Sequence, residues 1–273
     1  MKQILVATDF SQSAANAMAY AMELASVLGK DICAIHAIHP TEGINNNTYN
    51  AIFIEDYHNN KRAALEEWAA GFKKRKAYKD VKVTTACGIG FLKSVLTKYI
   101  KDHPVDLLVM GVIGSTNINS IIGSNTSSVV AKIKFPTLIV PMESKFAEIP
   151  MITLATDFET RLSAIDVKTL NEMIKAFEPK KMQVLYVNED REDHPRHRDE
   201  ERLRDLIKHT KLDFNYIKAD STIDGINNFV QNDHTDILCL VKHHHNVVYR
   251  LFTRSTVNQV LNRSLKAVLV LHE

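Results

Sequence analysis

The chain has 273 residues, of which 45% are hydrophobic and 24% are charged. This balance is typical of a globular protein, and it excludes disordered, collagen-like and disulfide-stapled chains. The 34 Lys and Arg residues nearly balance the 32 Asp and Glu residues, so the formal net charge is only +2, which argues against a protein that tracks a nucleic-acid backbone.

In the first part of the chain, short β-rich runs alternate with helical segments. The predicted strands are Gln3–Ala7, Ile32–Ile38, Val81–Ala86, Asp106–Gly111 and Thr137–Pro141. Several of them are continuous apolar runs, as expected for parallel strands that helices cover on both faces. Helices are predicted from Ser11 or Ser13 to Gly29, over Glu55–Tyr78, over Phe91–Asp102, and from Asn125 onwards.

The second part of the chain shows the same alternation. Strands are predicted near Ile152–Thr156, Met182–Tyr186, Phe214–Lys218, Asp236–Val241 and Ala267–Leu271. The highly charged segment Asn188–Asp199 is predicted to be a mobile loop. Because parallel neighbours need crossover helices, the strand–helix alternation predicts a doubly wound α/β fold.

The two parts are copies of one unit. Residues 4–10 (ILVATDF) recur as residues 152–158 (ITLATDF), and residues 105–110 (VDLLVM) match residues 235–240 (TDILCL). The offset falls from 148 to 130 residues, so the second copy is 18 residues shorter between its first and fourth strands. We predict two tandem domains, residues 1–143 (the first repeat) and 150–273 (the second repeat).

Chemistry in such a sheet is expected beyond the carboxyl ends of the strands. In the first repeat, Ala7-Thr8-Asp9 follow the first strand. After the fourth strand come a glycine-containing loop and the start of a helix, with the residues Met110, Gly111, Gly114, Gly123, Ser124, Asn125 and Thr126. The glycines allow close backbone approach and positive φ angles, and a helix N-terminus with hydroxyl groups favours a phosphate. Turn chemistry, and helix capping by Asp9, would explain the same residues without a ligand.

Taken together, the stretches VATDFS (6–11), DLLVMG (106–111) and PTLIVP (136–141), with a Gly-x2-Gly-x8-Gly-Ser loop, closely resemble the universal stress protein family. The resemblance covers the first repeat and, more weakly, the second. It implies Rossmann-like (adenine nucleotide alpha hydrolase-like) domains, each a five-stranded parallel sheet flanked by helices, and in one subgroup an ATP site. That subgroup has Gly-x2-Gly-x9-Gly-Ser/Thr, so this loop is one residue shorter.

The resemblance also implies which residues hold the nucleotide. Ala7, Thr8, Asp9 and Ala37 match the adenosine end, and Met110, Gly111 and Gly114 match the ribose and phosphate loop. Gly123, Ser124, Asn125 and Thr126 match the phosphate-binding helix start. The expected ligand is ATP or a related adenine nucleotide, with or without Mg²⁺. Relatives often dimerise through the last strand, so Thr137–Pro141 is expected to pair with Ala267–Leu271 inside one chain. Whether two chains also form a homodimer is left open by the sequence.

The second repeat departs from this pattern. Asp157 is kept, but Val241, His244, Thr253 and Arg254 replace Gly111, Gly114, Gly123 and Ser124. Side chains then stand where a nucleotide needs bare backbone, so we expect no ATP there. The run His243–His245 has no partner at metal-ligand spacing, so we expect polar loop residues and no metal site.

The chain is expected to be cytoplasmic, with no membrane or nucleic-acid partner. No apolar run reaches the roughly 18–20 residues that span a bilayer, and the N-terminal apolar run is too short for a signal peptide. Cys33, Cys87 and Cys239 stand apart without CxxC spacing, a pattern typical of buried thiols in a reducing compartment.

Three functions remain open from the sequence. The leading one is a nucleotide-binding stress protein with a regulatory or protective role. The second is an adenine-nucleotide hydrolase or an adenylating enzyme. The sequence has no P-loop, no Ser-Gly-Gly-x-Asp-Ser loop after the first strand and no evident catalytic base. At most weak ATP hydrolysis is therefore expected. The third is an interaction module that binds no nucleotide.

Overall fold

The structure, a computed structural model, describes residues 3–42, 51–74, 78–112, 124–158, 161–189, 197–242, 260 and 264–273. The elements of the first repeat are β1 (Gln3–Ala7), α1 (Gln12–Leu28), β2 (Asp31–Ile38), α2 (Ala51–Gly71), β3 (Val83–Ile89), α3 (Leu92–Asp102), β4 (Val105–Val112), α4 (Ser124–Lys132) and β5 (Thr137–Pro141). Those of the second repeat are β6 (Ile152–Ala155), α5 (Ala164–Phe177), β7 (Lys181–Asn188), α6 (His197–Leu206), β8 (Lys211–Lys218), α7 (Thr222–Asn232), β9 (Ile237–Lys242) and β10 (Ala267–His272).

These strands form one continuous sheet in the order β3-β2-β1-β4-β5-β10-β9-β6-β7-β8. Neighbours within each repeat are parallel. The two repeats meet at β5 and β10, which are antiparallel with Val268 opposite Ile139. The predicted Rossmann-like fold is therefore confirmed, and the last strands pair inside one chain as the resemblance implied.

Apolar layers cover both faces of the sheet. Side chains alternate between faces along a strand, so Ile4 and Val6 of β1 join the layer that contains residues of α1 and α5. Leu5 joins the opposite layer with residues of α3 and α7. Burial on both faces explains why the central strands are continuous apolar runs.

The first helix begins and ends as its sequence predicts. The Ser11 hydroxyl accepts a hydrogen bond from the backbone N–H of Ala14 at 3.2 Å, which caps the N-terminus of α1. Gly29, at φ 61°, takes the left-handed conformation that ends it. In the second repeat Ser163 plays the same capping role for α5.

The bounds of several predicted segments are wrong. Helix α2 begins at Ala51 and ends at Gly71, followed by a short 3-10 turn over Phe72–Lys74, so it does not reach Tyr78. Strand β3 lies at Val83–Ile89 rather than Val81–Ala86. The charged segment 188–199 is not all loop, because β7 continues through Asn188 and α6 begins at His197; residues 190–196 lie outside the described residues.

The cysteines are only partly as expected. Cys33 and Cys239 are buried in the central sheet, whereas Cys87 lies on the edge strand β3 and is partly exposed. Within the described ranges, no helix is both long and apolar enough to cross a bilayer.

Candidate functional site

A cavity of 370 Å³ lies in the first repeat at the carboxyl ends of β1, β2 and β4. Its wall contains seven of the eleven predicted residues, namely Ala7, Thr8, Asp9, Ala37, Met110, Gly111 and Thr126. Ser124 and Asn125 begin α4, and their side chains are outside the described part of the chain, as are Gly114 and Gly123 altogether. Four separate stretches of sequence therefore meet at one cavity.

The turn between β1 and α1 forms one wall of the cavity. The backbone N–H of Thr8 donates to the Ile35 carbonyl at 2.9 Å, which continues the pairing of β1 with β2. The Thr8 hydroxyl accepts from the N–H of Phe10, and the Asp9 carboxylate accepts from the N–H of Ser11, each at 3.0 Å. Phe10 has a φ of 65°. The turn is thus held by its own side chains, and Asp9 stays exposed.

Gly111 is needed for packing, which the sequence interpretation missed. Among the described glycines, only Gly29 and Gly90 have a positive φ, so Gly111 does not use the positive φ that glycine allows. A Cβ at Gly111 would stand 2.3 Å from the Ser13 carbonyl oxygen and 2.8 Å from the Ala14 nitrogen. The backbone that approaches Gly111 closely is therefore the first turn of α1. The absence of a side chain at Gly111 lets this turn pack against the end of β4.

Aromatic side chains complete the wall, and none of them was among the predicted site residues. His36 Nδ1–H donates to the Thr8 carbonyl at 2.8 Å, because a carbonyl only accepts. Phe10 packs on this ring with centroids 4.6 Å apart. Phe91, which is 65% exposed, meets the His39 ring edge to face at 5.0 Å. The order of the strands could have suggested these residues, since β2 ends beside β1 and β3 ends beside β2.

A polar cluster formed by α2 and by the residues that follow β2 lies at the cavity rim. Glu42 accepts hydrogen bonds from the Tyr57 hydroxyl at 2.7 Å and from the His39 N–H at 3.0 Å, and Lys61 lies 3.6 Å away. The Tyr57 hydrogen bond is the largest influence on the pKa of Glu42, which lies below its usual value although burial opposes the shift. The Lys61 ammonium is 5.9 Å from the Phe10 ring centre, so it brings a cation to the cavity.

The sequence profile of the Universal stress protein family matches residues 1–141, just over half of the chain. The chain belongs to the universal stress protein family. Universal stress protein MJ0577 of Methanocaldococcus jannaschii is 27% identical over 152 residues, which cover 51% of this chain and 94% of that protein.

Solved structures extend the similarity of fold to the whole chain. A universal stress protein from Archaeoglobus fulgidus superposes with a TM-score of 0.77 at 16% identity, covering 98% of this chain and 97% of its own. The functionally unknown protein PA1789 from Pseudomonas aeruginosa has a TM-score of 0.61 at 13% identity, covering 100% of this chain and 92% of its own. The tandem arrangement therefore has full-length structural counterparts.

The second repeat of this universal stress protein keeps the turn after its first strand. The Thr156 N–H donates to the Leu185 carbonyl at 3.0 Å, and the Phe158 N–H donates to the Thr156 hydroxyl at 3.0 Å. Phe158 has a φ of 63°, close to that of Phe10. By this pairing Tyr186 takes the place of His36, and its ring lies 5.8 Å from that of Phe158.

The end of the fourth strand differs between the repeats. Val241, at the place of Gly111, is 2% exposed. Helix α5 begins six residues after Phe158, whereas α1 begins two residues after Phe10. The bulkier side chain thus accompanies a later helix start. The other replacements, His244, Thr253 and Arg254, and the run His243–His245 lie outside the described residues, and the part of the chain that is described contains no cluster of three metal-ligating side chains.

Proposed function

We propose that the first repeat binds an adenine nucleotide, ATP or a close relative, and that this ligand serves a regulatory or protective role in the stress response. The observation that carries the proposal is the cavity itself. It brings the turn after β1, the end of β2, the end of β4 and the first turn of α4 to one place, and its 370 Å³ volume lies within the range of about 300–1,000 Å³ of small-molecule sites.

The α4 side of the cavity suits phosphate. Thr126 lies in the first turn of α4 and lines the cavity although it is only 6% exposed. The unpaired backbone N–H groups of a helix N-terminus and its positive dipole end favour an anion. Phosphate groups are therefore placed towards α4 in this proposal.

The opposite side suits an adenosine moiety. Phe10 and Phe91 present apolar ring surface, which favours a planar base, and Ala37 is small enough to leave room for it. With Nδ1 of His36 protonated, its Nε2 is an acceptor when the ring is neutral, and no atom of the described residues donates to it. The exposed carboxylate of Asp9 can accept from a ribose hydroxyl.

The second repeat is proposed to bind no nucleotide in this way, because Val241 and Tyr186 replace Gly111 and His36. The expected stoichiometry is one nucleotide per chain. Calorimetric titration of the full chain with ATP, with and without Mg²⁺, followed by assay of released product, tests the proposal. Binding without turnover supports it, and rapid turnover supports the alternative of an adenine-nucleotide hydrolase. An absence of binding supports an interaction module, and two equivalent sites would contradict the asymmetry.

The location of the site has its own test. Ala37→Leu fills the cavity at the end of β2, so we expect at least a roughly tenfold loss of ATP affinity, or about 1.4 kcal/mol. The matched control is Ala176→Leu, which enlarges a partly exposed alanine in a separate groove beside α5 and is expected to leave ATP binding unchanged. Unchanged affinity in Ala37→Leu would place the ligand elsewhere.

A further inference from the structure

A lysine of the second repeat holds a helix of the first repeat. Lys242 is the last residue of β9 and is 4% exposed. Its ammonium group donates to the backbone carbonyls of Val130 at 2.7 Å and Ala131 at 2.5 Å, both in α4. The first repeat has Val112 at the matching position, 130 residues earlier. This cationic contact across the boundary is therefore not copied from the first repeat.

The two carbonyls belong to the end of α4 that most needs such a partner. The last four carbonyls of a helix have no acceptor role within it, and the dipole gives this end a partial negative charge. A buried ammonium group suits this end of the helix, because it donates hydrogen bonds to the free carbonyls and its positive charge is attracted to the negative end of the dipole. Ammonium groups are rarely buried without such partners, so the contact accounts for the burial of Lys242.

The other end of the same helix lines the cavity. Helix α4 has nine residues, and a helix rises about 1.5 Å per residue, so it is a short, stiff element. Holding its last turn therefore sets the direction of its first turn, where Thr126 meets the cavity. We propose that Lys242 is a positioning residue for the phosphate end of the nucleotide site, an inference that rests on the proposed function. The second repeat would then serve the site of the first repeat while binding no nucleotide itself.

The test compares ligands with and without phosphate. The full chain carrying Lys242→Met is titrated with ATP and with adenosine, and ATP is expected to bind about tenfold more weakly while adenosine affinity changes by less than about twofold. Lys242→Arg, which keeps the charge and the donors, is expected to restore most of the ATP affinity. The matched control is Lys181→Met in the same repeat, where the lysine is exposed and pairs with Asp213 at 2.6 Å; it is expected to change neither affinity.

Hydrogen exchange separates this inference from the proposed function. Without ligand, the amides of α4 are expected to exchange faster in Lys242→Met than in the wild-type chain. The positioning role is wrong if the wild-type chain binds ATP but the variant loses affinity for ATP and for adenosine equally. It is also wrong if the variant loses affinity for neither ligand. If the wild-type chain binds no nucleotide, the proposed function and the phosphate role both fail, and unchanged exchange would also refute the anchoring of α4. Should Lys242→Met not fold, Lys242→Gln, which keeps an amide donor, takes its place in every measurement.

Discussion

Gly111 and Ser13 are in direct backbone contact, because a Cβ at Gly111 would lie 2.3 Å from the carbonyl oxygen of Ser13. The contact joins the end of β4 to the first turn of α1, two of the elements that enclose the cavity. Glycine at this position therefore maintains the shape of the cavity through packing. A glycine would also be expected here if the backbone contacted a ligand directly, so the residue type alone does not distinguish the two roles.

The first prediction is that Gly111→Ala destabilises the protein. The added methyl group meets backbone atoms, which cannot turn aside as a side chain can, so α1 must shift. We expect the free energy of unfolding to fall by about 1–3 kcal/mol, the usual cost of overpacking, and ATP affinity to fall with it. Urea denaturation followed by circular dichroism measures the first effect, and calorimetry measures the second.

Gly71→Ala is the matched control for this substitution. Gly71 ends α2, and a Cβ there would meet no atom within 4 Å. Alanine is favoured over glycine in helices by up to about 1 kcal/mol, so this variant should be as stable as the wild-type chain or slightly more so. A Gly111→Ala variant as stable as Gly71→Ala would show that α1 is not held against β4 as described.

The fold was predictable where apolar runs were bounded by turn residues. β1 and β5 match their predicted bounds, because both strands are apolar and buried. The limits of β3 were missed because this edge strand, VTTACGI, is only partly buried and has a weak apolar pattern. The early end of α2 was missed because charged residues continue beyond Gly71, so composition did not mark the boundary.

The lining of the candidate site was predictable where its residues were adjacent in a motif. Thr8, Asp9 and Gly111 belong to such stretches, and the cavity wall contains them. His36 and Phe91 were missed because their place depends on which strand ends meet and on how each side chain turns. The contact of Lys242 with α4 depends on packing between repeats, which a pattern within one repeat cannot contain.

The second prediction concerns an ionic cluster between the repeats. Asp106, which is 4% exposed, accepts from Lys30 at 2.6 Å and lies 3.4 Å from Lys168 of α5. Lys30 also donates to Glu172 of α5 at 2.7 Å. Asp106→Asn removes the central charge and leaves nearby ammonium groups poorly compensated, so we expect unfolding to become easier by about 1–3 kcal/mol.

Asp213→Asn provides the control for Asp106→Asn. Asp213 and Lys181 are also 2.6 Å apart, but their side chains are 42% and 45% exposed. Exposed pairs contribute about 0–1 kcal/mol and are screened by salt, so this variant should unfold almost as the wild-type chain does. Equal effects of the two substitutions in urea denaturation would refute a special role for the buried cluster.

The third prediction is that Cys87 reacts first with thiol reagents. Burial raises the pKa values of the Cys33 and Cys239 thiols, and both side chains are inaccessible. Cys87 is partly exposed, although burial also raises its pKa, so alkylation should be slow and should accelerate with rising pH. Peptide mass spectrometry after iodoacetamide treatment identifies the labelled site. Labelling of Cys239 in the folded protein at the rate of Cys87 would contradict the described burial.

The fourth prediction is that Tyr57→Phe raises the pKa of Glu42 towards its usual value, because the Tyr57 hydroxyl no longer donates to the carboxylate. A carboxylate whose pKa is lowered by folding stabilises the protein above its unfolded pKa of about 4.3, and this contribution disappears as the pH falls through the folded pKa. The stability difference between wild type and variant should therefore be full at neutral pH and shrink on acidification.

Carboxyl NMR titration of Glu42 measures the pKa directly. The control is Tyr99→Phe, which removes a hydroxyl that is hydrogen-bonded to Cys33 and should leave the pKa of Glu42 unchanged. If Tyr57→Phe also leaves the pKa of Glu42 unchanged, Lys61 and the His39 N–H suffice to hold that pKa low.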